Sequence, residues 1–328
     1  MTGPQQPSGD PLDVQTGLAA PWSVVFVGDT ALVSERDTAT IRELTPDGTR
    51  EVGVVDGVQP GGEGGLLGLA TYPAGTPTYL YAYVTAADDN RIVRYPLTGS
   101  AGGYGLGPVE DVFGGITKNS THNGGRIAFG PDGMLYVTTG DAQQRDTPQD
   151  PNSLNGKILR LTPAGAVPAD NPIAGNPMYS LGHRNPQGLA WDSAGQLWAA
   201  EFGQDTWDEL NRIQPGANYG WPTVEGIAGD SRFVDPVQQW PTDEASPSGI
   251  TIAGDTIFIA NLRGARLRAV PVDDPSGSTE YYDGRYGRLR DVVVAPDGTL
   301  WILTNNTDGR GDPHDGDDRI LRVALTPA

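Results

Sequence analysis

Ile127-Ala-Phe-Gly-Pro-Asp-Gly-Met-Leu-Tyr-Val-Thr-Thr139 decides the fold. Two short apolar runs flank an Asp-Gly turn, the local signature of a β-hairpin. A third run, Lys157-Ile-Leu-Arg-Leu161, follows with Arg among aliphatics. The same order recurs along the chain. Trp22-Ser-Val-Val-Phe-Val27 precedes Ala31-Leu-Val-Ser-Glu35, and Leu67-Gly-Leu-Ala70 precedes Leu80-Tyr-Ala-Tyr-Val84 and Arg91-Ile-Val-Arg-Tyr95. Gly188-Leu-Ala-Trp191 leads to Leu197-Trp-Ala-Ala-Glu201 and Glu209-Leu-Asn-Arg-Ile213. Ile250-Thr-Ile252, Ile257-Phe-Ile-Ala260 and Ala265-Arg-Leu-Arg-Ala-Val270 make a fifth copy. Val292-Val-Val294, Leu300-Trp-Ile-Leu-Thr304 and Arg319-Ile-Leu-Arg-Val323 make the sixth. Six units spaced roughly 40–60 residues apart predict an all-β, six-bladed β-propeller with about four strands per blade. A pair of β-sandwiches is the rival architecture, but it gives no reason for six similar units. Thr206 to Ile213 reads either as a short helical turn or as a strand. Residues 18–328 are expected to form one propeller domain. Residues 1–17, polar and Pro/Gly-rich at their start, are expected to form a flexible N-terminal tether.

Composition agrees with many short strands and tight turns. The 328 residues include 46 Gly and 28 Pro, and the formal net charge is −19. So acidic a chain lacks the basic face that nucleic acid requires, while its oxygens suit calcium. With no Cys, disulfides, thiolate metal sites and Cys nucleophiles are excluded. No stretch approaches the ~18 consecutive apolar residues of a membrane span. Met1 to Pro11 lack the apolar segment of a signal peptide.

Polar residues concentrate at a few points inside this apolar framework. Gly61-Gly-Glu63-Gly-Gly-Leu-Leu-Gly68 surrounds one carboxylate with glycines that permit close backbone approach. His122, in Thr121-His-Asn-Gly-Gly-Arg126, sits just before a strand, where an imidazole is placed to act as a general base. Arg184 and Asn185, in Gly182-His-Arg-Asn-Pro-Gln-Gly188, offer a guanidinium and an amide to oxygens of a ligand. Arg288 and Arg290 have period-2 spacing and share a strand face. With Arg263 and Arg184 they suggest an anionic ligand; local salt bridging to Asp and Glu is the competing explanation. Ala200-Glu-Phe-Gly-Gln-Asp-Thr-Trp-Asp-Glu-Leu-Asn211 contains Asp208 and Glu209 with carbonyls at Gly203 and Gln204, oxygens that fit a hard cation. The three His, at 122, 183 and 314, have no zinc spacing. Arg310-Gly-Asp312 reads as a chance tripeptide, and the acidic segment Asp308 to Asp318 as a solvated loop.

Over roughly Leu18 to Leu325 the chain resembles the soluble quinoprotein sugar dehydrogenases, the glucose/sorbosone dehydrogenase family. The resemblance is carried by Gly64-Gly-Leu-Leu-Gly68, His122-Asn-Gly-Gly-Arg126, Gly182-His-Arg-Asn-Pro-Gln-Gly188, Asp208-Glu-Leu-Asn211, Gly216-Ala-Asn-Tyr-Gly-Trp-Pro222 and Arg288-Leu-Arg-Asp-Val292. It implies a dehydrogenase that uses pyrroloquinoline quinone and calcium to oxidise the anomeric hydroxyl of aldoses to lactones. His122 would match the base and Arg184 the residue that stabilises negative charge on the quinone. Asn185, Arg263, Arg288 and Arg290 would bind the cofactor, and Glu63 with His122 the sugar. Gly203 and Gln204 carbonyls would match ligands of a catalytic calcium, with Asp208 beside them. Glu209 and the Tyr219 backbone oxygen would match a structural calcium. Thr121 stands where the glucose-oxidising branch has Asp, and Glu63 where it has Gln; the chain is also shorter. These departures point toward the broader aldose sugar branch. The resemblance also implies export to the periplasm or cell exterior and an external electron acceptor. Two other classes compete: a non-catalytic extracellular propeller binding module, and a calcium-dependent propeller lactonase.

Overall fold

The computed structural model describes residues 2–72 and 78–328. Twenty-five strands assemble into six antiparallel sheets, and one 3-10 turn, Thr147–Gln149, is the sole helical element among the described residues. Blade one is built from Pro21–Val27, Thr30–Glu35, Thr40–Thr45 and Gly48–Val54. Blade two is built from Leu66–Tyr72, Tyr79–Thr85, Asn90–Thr98 and Glu110–Ile116, with a short extra strand, Gly105–Leu106. Blade three uses Ile127–Phe129, Leu135–Thr139, Lys157–Leu161 and Met178–Leu181. Blade four uses Pro186–Trp191, Leu197–Glu201, Trp207–Ile213 and Gln238–Pro241. Blade five uses Pro247–Ala253, Thr256–Asn261, Arg266–Pro271 and Thr279–Tyr281. The first strands of consecutive blades touch in cyclic order, so the sheets form a closed ring around a central channel. The ambiguous Thr206–Ile213 segment is strand.

Period-2 alternation explains the packing. In Thr30–Glu35, Leu32 joins the apolar cluster shared with blade two, while Ala31 and Val33 join the cluster shared with blade six. In Tyr79–Thr85, Leu80, Ala82 and Val84 face blade one, whereas Tyr81 and Tyr83 face blade three. Both faces of each middle strand are therefore buried, which is why these strands read as continuous apolar runs. The hairpin turns follow the Asp-Gly rule. At Pro131-Asp-Gly133, Asp132 Oδ1 accepts the Met134 amide at 3.1 Å and Gly133 takes φ +74°, a region that favours glycine.

Blade six corrects one expectation. Its first three strands are Leu289–Val294, Leu300–Thr304 and Ile320–Pro327, and its fourth is Gln5–Gln15, from the other end of the chain. The segment read as a flexible tether, residues 1–17, is thus largely an eleven-residue strand paired antiparallel with Ile320–Pro327. Gln5 also exchanges hydrogen bonds with Thr256 of blade five, and Arg285 and Arg319 pair with Asp10 and Asp13. Gln5–Gln15 is the outer strand of its sheet, where the missing N–H groups of Pro7 and Pro11, which with Gly9 hid the strand, are tolerated. Two irregularities in register, after Ser8 and after Asp13, accommodate them. No helix among the described residues is long and apolar enough to cross a membrane.

Candidate active site

Because the strands of a blade are antiparallel, the entry of each first strand and the exit of each second strand lie at the same end of the ring. That end holds a cavity of about 510 Å³. Glu63, His122, Arg184, Asn185, Arg263, Arg288 and Arg290 all line it, as do Gly203, Gln204 and Asp208. Residues from all six blades and their loops, from Trp22 to Arg310 in sequence, therefore meet. Below the cavity the channel is filled by a polar network. Arg126 pairs with Asp291 at 3.0 Å and donates to the Gln187 carbonyl, and the Trp22 ring lies between the Arg126 and Arg290 guanidiniums, 4.3 and 5.7 Å away.

His122 occupies a left-handed backbone conformation, φ +58°. Its amide donates to Glu63 Oε2 at 2.9 Å, which holds that turn in place. Its Nδ1 lies 2.7 Å from Asp141 Oδ1, and Nε2 has no protein partner among the described residues. Asp141 is buried, yet it also accepts the Trp221 indole N–H at 2.8 Å and the Gln143 amide at 2.8 Å. Burial alone would raise its carboxyl pKa. The hydrogen bond and charge of His122, with the Trp221 and Gln143 donors, outweigh burial and hold it below the ordinary value. A carboxylate on Nδ1 fixes the ring so that Nε2 is presented to the cavity. Asp141 and Trp221 were missed in the sequence. Asp141 follows the blade-three strand much as Glu35 and Glu201 end theirs, and only the fold separates their roles.

Arg184 is half-buried beside this pair. Its Nη1 donates to the Gly203 carbonyl, and its Nε is buried with no partner. Desolvation lowers its pKa, opposed by the charges of Asp141, Glu225, Glu63 and Asp208. Asn185 spends its carbonyl oxygen on the Gly124 amide at 3.0 Å, and its amide nitrogen has no protein partner among the described residues. Arg263 is exposed and makes no ion pair among the described residues. Arg288 and Arg290 share Asp308, at 2.9 and 3.5 Å. Local salt bridging thus explains part of this cluster. Arg290 is nevertheless so desolvated that its pKa falls to about 9, with Arg288 and Arg36 pushing the same way. The sequence also missed Arg36 and Arg310, which line the cavity too. Six guanidiniums, Arg36, Arg184, Arg263, Arg288, Arg290 and Arg310, thus face Glu63, Asp208 and Asp308 in one cavity of a strongly acidic chain. Such a site focuses positive potential on an anionic ligand.

The segment Asp308 to Asp318 is solvated through its middle, where residues 309–316 are mostly exposed, but its two ends are buried. The Asp308 carboxylate is 1% exposed between two cavity arginines, and Asp318 is buried, accepting from Thr304, Asn306 and Thr307. Arg310, in the tripeptide read as chance, pairs with Glu63 at 2.9 Å on the cavity wall.

The oxygens expected to bind cations divide into two groups. Gly203, Gln204 and Asp208 line the main cavity, and the Gln204 carbonyl accepts no protein donor among the described residues. Asp208 accepts the Gly203 and Ser246 amides, at 2.8 and 2.6 Å, but burial still raises its pKa to about 7. Glu209 is not in that cavity. It is buried opposite Glu201 in register, and burial together with the Glu201 charge raises its pKa to about 8. Tyr219 is buried nearby in blade four's loops, its ring stacked on His183 at 4.8 Å. No cluster of three or more His, Asp or Glu side chains suited to a metal occurs among the described residues. Any cation here would lean on backbone oxygens.

A propeller whose channel mouth carries a His–Asp pair opposite an arginine cage is an enzyme site for an anionic cofactor or substrate. The glucose/sorbosone dehydrogenase family model matches residues 18–321, and the chain belongs to that family. It is similar to the PQQ-bound aldose sugar dehydrogenase of Streptomyces coelicolor, with 50% identity and a TM-score of 0.92 over 98% of this chain and 100% of that one. The aldose sugar dehydrogenase YliI of Escherichia coli is 32% identical, covering 90% of each chain. The quinoprotein glucose dehydrogenase B of Acinetobacter calcoaceticus is 26% identical over 92% of this chain and 86% of its own.

Proposed function

We propose that this chain oxidises aldose sugars at the anomeric carbon, giving lactones, with pyrroloquinoline quinone and calcium held in the cavity. The observation that carries the reading is the pairing of His122–Asp141 with the arginine cage in one cavity. Among the described residues Arg184 Nε, the Asn185 amide nitrogen and Arg263 have no protein partner, and they are donors suited to a flat molecule with several carboxylates. When bound, the quinone supplies a two-electron acceptor, and calcium supplies a Lewis acid that polarises it. His122 takes the proton of the anomeric hydroxyl at Nε2 as the hydride departs from the same carbon, so the sugar loses two electrons and two hydrogens and becomes the lactone. Asp141 stabilises the imidazolium that results. Arg184 sets positive charge where negative charge grows on the acceptor. Asn185, Arg263, Arg288 and Arg290 would hold the carboxylates of the cofactor.

Gly203 and Gln204 carbonyls, with Asp208 behind them, would hold the calcium of the cavity. Glu209 and the Tyr219 carbonyl would hold a structural one, which would relieve the buried Glu201–Glu209 repulsion. An external acceptor would take the electrons on, and export to the periplasm or cell exterior is part of this proposal. The test is reconstitution with quinone and calcium, followed by dye reduction with an aldose panel. Turnover that disappears in His122→Gln while quinone still binds supports the reading. Tight quinone binding without turnover of any aldose by the unmodified chain would return it to a binding module.

A further inference from the structure

Arg310 has no part in the roles above, although it lines the cavity. Its backbone is fixed by Asp308. One oxygen of that carboxylate accepts the Arg310 amide at 2.9 Å, and the other is gripped by Arg288 and Arg290. The Arg310 side chain is 57% exposed and pairs with Glu63 Oε1 at 2.9 Å. Glu63 Oε2 in turn accepts the His122 amide at 2.9 Å. A guanidinium is thus held one carboxylate away from the backbone of the imidazole. It has five N–H donors. Apart from the Glu63 pair, its side chain donates to no protein group among the described residues. The pair is neutral as a unit, so it does not select an anion. It presents free N–H donors from Arg310 beside spare lone pairs on Glu63, a set that matches the hydroxyls of a neutral sugar.

We infer that Arg310, steadied by Glu63, reads hydroxyl groups of the substrate sugar beside His122 and so helps set which aldoses are accepted. This deepens the reading of the chain as an aldose dehydrogenase and rests on it. The test compares the reconstituted wild type with Arg310→Gln and Arg310→Lys on one good aldose and its monodeoxy derivatives. Quinone affinity is measured separately by absorbance titration. A hydrogen bond from a charged donor to a substrate hydroxyl is worth about 10- to 100-fold in kcat/KM. At one deoxy position the wild type is expected to lose that factor. Arg310→Gln is expected to lose it already on the parent sugar, through KM, with no further loss on that deoxy sugar, and Arg310→Lys to fall between. Unchanged deoxy penalties in Arg310→Gln would overturn the inference. So would a uniform fall in kcat on every sugar, the mark of a strut for His122, or a loss of quinone affinity, which would assign Arg310 to the cofactor. A wild type that binds quinone yet oxidises no aldose would instead overturn the underlying function.

Discussion

Asp141→Asn tests the orientation of the base with almost no change in shape. The carboxylate accepts three hydrogen bonds, from His122 Nδ1, the Gln143 amide and the Trp221 indole. An amide has one acceptor oxygen. If that oxygen faces His122 and Gln143, its NH2 confronts the Trp221 N–H. If the amide turns over, its NH2 confronts the Gln143 N–H and donates to His122 Nδ1. That second arrangement places the imidazole proton on Nε2, where the base must be unprotonated. The first replaces the carboxylate that stabilises the imidazolium formed in the step with a neutral amide, a loss of about 2–4 kcal/mol of transition-state stabilisation, while the unpaired Trp221 N–H lowers stability in both states. At 1.36 kcal/mol per decade, kcat is expected to fall about 30- to 1,000-fold, and further if the tautomer inverts. KM and quinone affinity should move little, because Asp141 lies behind His122 and does not line the cavity. The assay is single-turnover reduction of the reconstituted quinone by aldose, followed optically, beside a quinone titration. A kcat within about threefold of wild type would refute the assignment of His122 as a base held by Asp141.

Stability should carry the same signature on the acid side. The folded-state pKa of Asp141 is depressed, so its contribution is present above the unfolded value of about 3.9 and is lost as pH falls through the folded one. The melting-temperature deficit of Asp141→Asn should therefore be full near pH 6 and shrink below about pH 4. Deleting residues 2–16 strips the outer strand from blade six and bares the edge of Ile320–Pro327. Calorimetry should then show a fall of about 10 °C or more, with self-association through the freed edge; an unchanged melting temperature would restore the tether. Gly62 has φ +59°, and a Cβ there would press on the Ser120 carbonyl, which accepts the Glu63 amide at 2.7 Å. Gly62→Ala is expected to displace Glu63 and His122, lowering kcat/KM about tenfold or more with little loss of quinone affinity.

What the sequence revealed and what it concealed divide along a physical line. Blades one to five are local: their strands announce themselves through alternation, the blade-three hairpin through its Asp-Gly turn, and the middle strands through two-sided burial. The strand Gln5–Gln15 finds its partner more than 300 residues away and has neither alternation nor a turn beside it, so nothing local distinguished it from a tail. The site behaves alike. His122, Arg184 and Asn185 stand in glycine- and proline-marked strand entries, where a polar residue is conspicuous. Asp141, Arg36 and Arg310 leave the ends of second strands among many similar charged residues. Their meeting depends on the ring bringing blades one, three and six to a common mouth. The Asp308–Asp318 segment looked solvated because acid density is its only local property, and its arginine partners come from another strand.

Residues near both termini complete one sheet, so the circle behaves as a clasp. In chain order blade one must wait for its neighbour in the ring, since blade six is completed only by Ile320–Pro327 and its pairing with Gln5–Gln15. Trp22 of blade one meets Arg290 of blade six across the same closure, with Asp308 beside it. Seating a charged guest there would therefore report that the circle is shut.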